Sequence, residues 1–239
     1  MATTEQIQAH DRFIDRMVSE FERGLAPLFR DFYDQLAEIP NPTRLQIQNL
    51  GQEFRRYAQA QLNGLTDLAE DNVAMNAEVL GEIVDPNTTA SLSRLREETV
   101  AAVNAAIDQE MNSVIAVLAV AGLVAAVNPR IRRELRSTSE AAIRRLTTAF
   151  NTSIRNYDGA FTLLRGRASE TELVYRYAGG VVAETRPFCE QMNGRTFTEG
   201  EIRRIWSSQT WGGKRPGDPF VTRGGYNCRH FFVPERRER

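Results

Sequence analysis

Apolar residues recur at three- and four-residue steps through most of the first two-thirds of the chain, and that period constrains the fold more than anything else. Phe13, Ile14, Met17, Phe21, Leu25, Leu28, Phe29, Phe32 and Leu36 mark one amphipathic helix, or two, over 4–39. Gly24 and Pro27 are candidate bends within it. Pro40-Asn41-Pro42 stops the run, and Thr43 is placed to cap the next. Leu45, Ile47, Leu50, Phe54, Tyr57, Leu62 and Leu65 carry the period over 43–82. Asp85-Pro86-Asn87 reads as a turn with Thr88 or Thr89 as cap, and a long helix is predicted over 90–127. After Asn128-Pro129, helix resumes over 130–156, with Ser139 as a local restart.

The period changes near residue 172. Leu173-Val174-Tyr175-Arg176-Tyr177-Ala178 alternates and is rich in strand formers. A short amphipathic helix is predicted over Glu199–Ser208, with Ile202, Ile205 and Trp206 on one face. Phe220–Thr222 and His230–Val233 are short strand candidates. The predicted fold is mainly α with a small C-terminal α+β module, divided as an acidic helical body (1–127), a basic helical connector (128–171) and a loop-rich tail (172–239). No repeat or low-complexity segment appears.

The net charge of −1 conceals a split: residues 1–127 carry 19 acids and 9 Arg, residues 128–239 carry 12 acids and 21 Arg or Lys. The basic half suits nucleic acid or an acidic protein, or the two halves attract each other. Arg130, Arg132, Arg133, Arg136, Arg144, Arg145, Lys214, Arg215, Arg223 and Arg229 are the candidate phosphate contacts. The 29 Arg against a single Lys are not evidence for this, because the acidic half lacks Lys too and coding bias explains both. Trp206, Trp211, Phe220, Tyr226, Phe231 and Phe232 could stack on bases, although a small module needs such side chains for its own core. The apolar run Val114–Val127 has 14 residues, short of the ~20 that a bilayer core requires, so burial within the chain or between copies is expected and membrane insertion is not. The N-terminus has no signal-peptide pattern.

The only two cysteines, Cys189 and Cys228, lie 39 positions apart, and one of two histidines, His230, follows the second. A Cys/His nucleophile lacks an oxyanion loop and a base on a separate element. Cys189, Cys228 and His230 offer three zinc ligands, with Glu184, Glu190 or water as the fourth, but Cys-x-His is not a standard zinc spacing. The favoured alternative is a Cys189–Cys228 pair, reduced or bridged, that clasps the ends of the tail. Gly212-Gly213-Lys214-Arg215 lacks phosphate-loop spacing, and no metalloprotease, hydrolase or dinucleotide motif occurs. No cofactor is firmly indicated. His10 stands alone on the first helix and reads as a surface residue.

Several tail elements, taken in order, resemble the C-terminal motif of the Mu F-type minor head proteins of tailed bacteriophages. They are Tyr177-Ala178-Gly179, Glu184-Thr185-Arg186-Pro187-Phe188-Cys189, Asn193-Gly194, Phe197-Thr198 with Glu201-Ile202, and Gly224-Gly225-Tyr226-Asn227-Cys228-Arg229-His230. The family pattern runs as an Asp/Glu-Thr-Arg-x-x-Cys element, a Gly-containing turn, a short acidic helix and a Cys-Arg-Cys or Cys-Arg-His close. The resemblance covers about residues 173–234; the helical body matches in character only. It implies a virion head component, assembled in the host cytoplasm, that meets portal and major capsid proteins and is linked to DNA packaging or delivery. Longer members carry enzymatic domains after the motif. Here the sequence ends at Arg239, nine residues past His230, so a non-enzymatic protein is expected.

Overall fold

The computed structural model describes residues 2–39, 43–80, 86–121, 129–169, 171–183, 185–225 and 228–237. These residues are mainly helical, with one small antiparallel sheet in the C-terminal region. The helices before the sheet are α1 (Thr4–Glu38), α2 (Arg44–Leu50), α3 (Gln52–Leu62), α4 (Leu65–Leu80), α5 (Pro86–Ala121) and α6 (Pro129–Ala168). The tail follows as β1 (Leu173–Ala178), α7 (Pro187–Met192), β2 (Thr196–Phe197), α8 (Glu199–Ser208), α9 (Pro219–Thr222) and β3 (Phe231–Arg236).

Local chemistry explains most boundaries. Thr43 and Gln46 form a capping box at the start of α2, each side chain satisfying the other residue's backbone N–H. Thr198 and Glu201 do the same for α8. Pro187 and Pro219 occupy the first turns of α7 and α9, where a missing N–H costs nothing. Asp218 accepts the Phe220 N–H at 3.0 Å, which starts α9.

Several expectations need correction. The period over 43–82 is broken into α2, α3 and α4, at Gly51 and at Asn63-Gly64. Helix α5 begins at Pro86, so Thr88 and Thr89 lie inside it rather than capping it. Helix α6 passes Ser139 without a restart and continues to Ala168. Phe220–Thr222 is helical, because the Asp218 cap and Pro219 impose a turn that three β-prone residues cannot override. Of the run Val114–Val127, α5 includes residues up to Ala121; residues 122–128 and most side chains of 114–121 lie outside the described residues, and so does any self-association through them. Among the described residues, no helix is long and apolar enough to cross a membrane.

The chain forms two compact units. One comprises Met1–Asp15, Leu65–Thr99 and Asn151–Arg239; the other comprises Arg16–Gly64 and Val100–Phe150. The second unit has packed aromatic rings in its core. Phe21 lies parallel to Phe150 with centroids 4.0 Å apart, and Phe54 meets Phe29 and Phe32 at 4.6 and 5.5 Å. Arg145 grips the nearly buried Glu110 with two hydrogen bonds of 2.6 and 2.7 Å.

The first unit holds the sheet, ordered β2-β1-β3 with both pairings antiparallel. Strand β1 pairs Tyr175 with Phe197 on one side and with Pro234 on the other. Pro234 lies on an edge strand, where a missing donor is tolerated. Alternation sorts the two faces. Tyr175, Tyr177 and Phe232 join Phe188, Cys189, Met192, Ile202, Phe220 and Cys228 in one core. Ala178, Phe231 and Val233 join Ala2, Ile7 and Met75 in another. The N-terminal turns of α1 and part of α4 are therefore structural components of the tail module.

Candidate metal centre

Helix α7, strand β1 and the residues leading into β3 bring the two cysteines and the histidine together. Cys189 Sγ lies 3.8 Å from Cys228 Sγ, and Cys228 Sγ lies 4.0 Å from His230 Nδ1. The three ligand atoms all fall within 4.8 Å of one another and could hold a metal ion. The residues are 1%, 4% and 3% exposed, so the cluster is closed to solvent. Both cysteines are buried and not joined to each other. Glu190, one expected fourth ligand, is exposed on α7, and Glu184 lies outside the described residues.

Tyr177 sits over the cluster. Its Oη is 3.4 Å from Cys189 Sγ and 3.6 Å from Cys228 Sγ, and its ring stacks on His230 at 5.1 Å. Gly179 lets that imidazole approach the backbone, because a methyl there would meet His230 Cα at 2.7 Å. Gly224 lies against the sulfurs: a methyl would overlap Cys189 Sγ and meet Cys228 Sγ at 3.0 Å. The turn carrying Gly224 includes Arg223 at φ 45°, unusual for a residue with a side chain. Two indoles pin it. Trp206 donates to the Arg223 carbonyl at 3.0 Å and Trp211 to the Gly224 carbonyl at 2.7 Å.

The electrostatics of the pair are unequal. The hydrogen bond from Cys189 holds the Cys228 thiol well below its ordinary range, against the effect of burial, with His230 and the Arg223 guanidinium assisting. That same hydrogen bond, together with burial, pushes Cys189 up. Burial also raises Tyr177. The arrangement suits a metal or a thiol–thiolate pair.

The expected phosphate contacts are scattered. Arg144, Arg215 and Arg229 are exposed. Arg145 is engaged with Glu110. Lys214 donates to the Trp206 and Gln209 carbonyls at 2.5 and 2.6 Å and lies 4.0 Å over the Trp206 ring. Arg223 is 2% exposed and donates to Asn156 at 3.1 Å, so its guanidinium faces the interior rather than solvent. The side chains of Arg130, Arg132, Arg133 and Arg136 lie outside the described residues. The expected base-stacking aromatics Phe220, Phe231 and Phe232 are buried in the module's core; Tyr226 lies outside the described residues.

Sequence reasoning missed a second polar cluster. His10, expected at the surface, is 1% exposed. Its Nδ1 meets Asp71 at 2.5 Å and its Nε2 meets Asp158 at 3.0 Å. Asn72 donates to Asp158 at 2.7 Å and to Thr162 at 2.9 Å. Nearby, Arg155 donates to Asp11 and Asp15 at 2.9 and 2.7 Å while 1% exposed. Burial alone would lower the His10 pKa, but the Asp158 and Asp71 carboxylates raise it to about 10. Asp158 resists the upward push of burial and is lowered by His10 and Asn72. The signal was in the period. His10 precedes Ile14 by four residues, Asp158 follows Ile154 by four, and Asn72 follows Leu68 by four, so each sits on its helix's apolar stripe.

Comparison with known protein families, with curated proteins and with solved structures finds no match to this chain.

Proposed function

We propose that the chain is a structural head protein of a tailed bacteriophage, a minor capsid component acting in head morphogenesis near the portal and the capsid interior. One observation carries the reading: the described elements of the tail motif build one small fold around a buried hub. Arg186 precedes α7 and donates to the Gly212 carbonyl at 3.3 Å. Gly194, at φ 77°, turns the chain so that its N–H reaches the Tyr177 carbonyl at 2.7 Å. Thr198 and Glu201 cap α8, and Cys189, Cys228 and His230 meet beneath Tyr177. A motif whose described residues build a fold suits a scaffold better than a reaction centre.

In this reading a zinc ion at the cluster is a clasp, the protein is not an enzyme, and its location is the virion head after assembly in the host cytoplasm. Arg144, Arg215 and Arg229, exposed, are the candidates for contact with packaged DNA. Mass spectrometry of purified heads should find the chain in few copies, and deletion of its gene should leave misassembled or empty heads. A normal yield of DNA-filled, infectious particles without the chain overturns the proposal.

A further inference from the structure

The geometry points to a closed tetrahedral Zn²⁺ site in which Cys189 Sγ, Cys228 Sγ and His230 Nδ1 are ligands and Tyr177 Oη takes the fourth vertex. This assignment is independent of the head-protein reading. With Zn–S near 2.3 Å, two sulfurs on one zinc lie about 3.8 Å apart, and a sulfur and an oxygen about 3.5 Å. The sulfurs are 3.8 Å apart, and Tyr177 Oη lies 3.4 and 3.6 Å from them. A sulfur and a nitrogen on the same zinc would lie about 3.6 Å apart, so the 4.0 Å from Cys228 Sγ to His230 Nδ1, in a set that spans up to 4.8 Å, requires the imidazole to close on the sulfurs when the ion binds. The Cys189, Cys228 and His230 ligand atoms lie within 4.8 Å of one another, and Tyr177 Oη lies against both sulfurs, so four lone-pair atoms are brought into one small cluster.

Charge supports the assignment. Arg223 is 2% exposed, and its Nε and Nη1 have no hydrogen-bond partner among the described residues. A buried guanidinium requires a net negative neighbour. Zinc with two thiolates, a neutral imidazole and a phenolate carries −1, a counter-charge for Arg223 that adds to the Asp158 carboxylate and equals that of the metal-free thiol–thiolate pair. Two thiolates and an imidazole select zinc over magnesium or calcium, which require hard oxygen ligands. With Gly224 against the sulfurs and Tyr177 at the last vertex, no position stays open for substrate, which defines a structural site.

The test is metal content and Co²⁺ titration of the fully reduced, full-length protein. One zinc per chain is expected after expression in zinc-supplemented medium. The chelated protein should take up one Co²⁺, giving the visible bands of a four-coordinate thiolate site. Cys228→Ser and His230→Ala should lose the ion, and His230→Cys should retain it. Tyr177→Phe should weaken Co²⁺ binding at least about tenfold; unchanged affinity overturns the fourth-vertex assignment. Wild-type protein with two free thiols, under ~0.1 equivalent of zinc and no Co²⁺ spectrum overturns the site. So does a chain isolated from cells with its cysteines already bridged, read as a mass lower by two hydrogens.

Discussion

Replacing His10 with Gln tests whether the buried network carries a charge. The folded protein holds His10 between Asp71 and Asp158 with its pKa raised from 6.5 to about 10. At about 1.4 kcal/mol per unit, that shift corresponds to stabilisation on the order of 4–5 kcal/mol when the unfolded histidine is also protonated. Removing one partner of a buried ion pair costs a similar amount, about 3–5 kcal/mol. The sign follows from which state holds the proton. Below pH 6.5 both states are protonated and the contribution is complete. Between 6.5 and about 10 only the folded state keeps the proton, so the contribution falls by about 1.4 kcal/mol per pH unit. His10→Gln should therefore be destabilised by about 3–5 kcal/mol at pH 6 but by only about 1–2 kcal/mol at pH 9. Urea unfolding followed by tryptophan fluorescence reads the correct unit, because both tryptophans, Trp206 and Trp211, lie in it with His10. Because other groups titrate alike in both proteins, the difference between the two curves isolates His10. A difference that stays constant from pH 6 to pH 9 would refute the charged network.

Three further outcomes are expected. Gly224→Ala forces a methyl onto Cys189 Sγ and should cost about 1–3 kcal/mol by overpacking, measured by the same urea titration. Gly159→Ala drives a methyl into the backbone carbonyl of Phe220, which cannot rotate away as a side chain would, so its loss should be at the upper end of that range or beyond. Cys189 and Cys228, 1% and 4% exposed, should resist iodoacetamide in the native protein and react together on unfolding, as followed by mass spectrometry; rapid single labelling of the folded chain would contradict the closed cluster.

Elements defined by local chemistry were legible in the sequence. Strand β1 and helix α8 fall on the residues that alternation and the apolar face of Ile202, Ile205 and Trp206 mark out. Helix α9 was not, because Phe220-Val221-Thr222 is β-prone and only the preceding Asp218-Pro219 turns it helical. The convergence of Cys189, Cys228 and His230 was readable as a set of residue types, but Tyr177 as their partner was not: nothing in a strand pattern says which tyrosine will face two sulfurs. The His10 network was missed for a different reason. A periodic reading scores apolar residues and passes over a polar one on the same stripe, although three polar residues on three stripes predict one another as partners.

The composition of the first unit sets an order of events during synthesis. Arg176 donates to the Ala2 carbonyl across 174 positions, and Arg155 reaches back 144 positions to Asp11. At roughly 5–20 residues per second, residues 2–15 wait on the order of ten seconds or more after leaving the ribosome before those partners exist. Ile7, Ile14 and the charges of His10, Asp11 and Asp15 are unsatisfied during that interval, a window in which a chaperone or a second nascent chain can capture them. The turns that complete the sheet's underside are thus made well before their partners and are among the last to find their place, and the closure of so long a loop is expected to set the pace of folding.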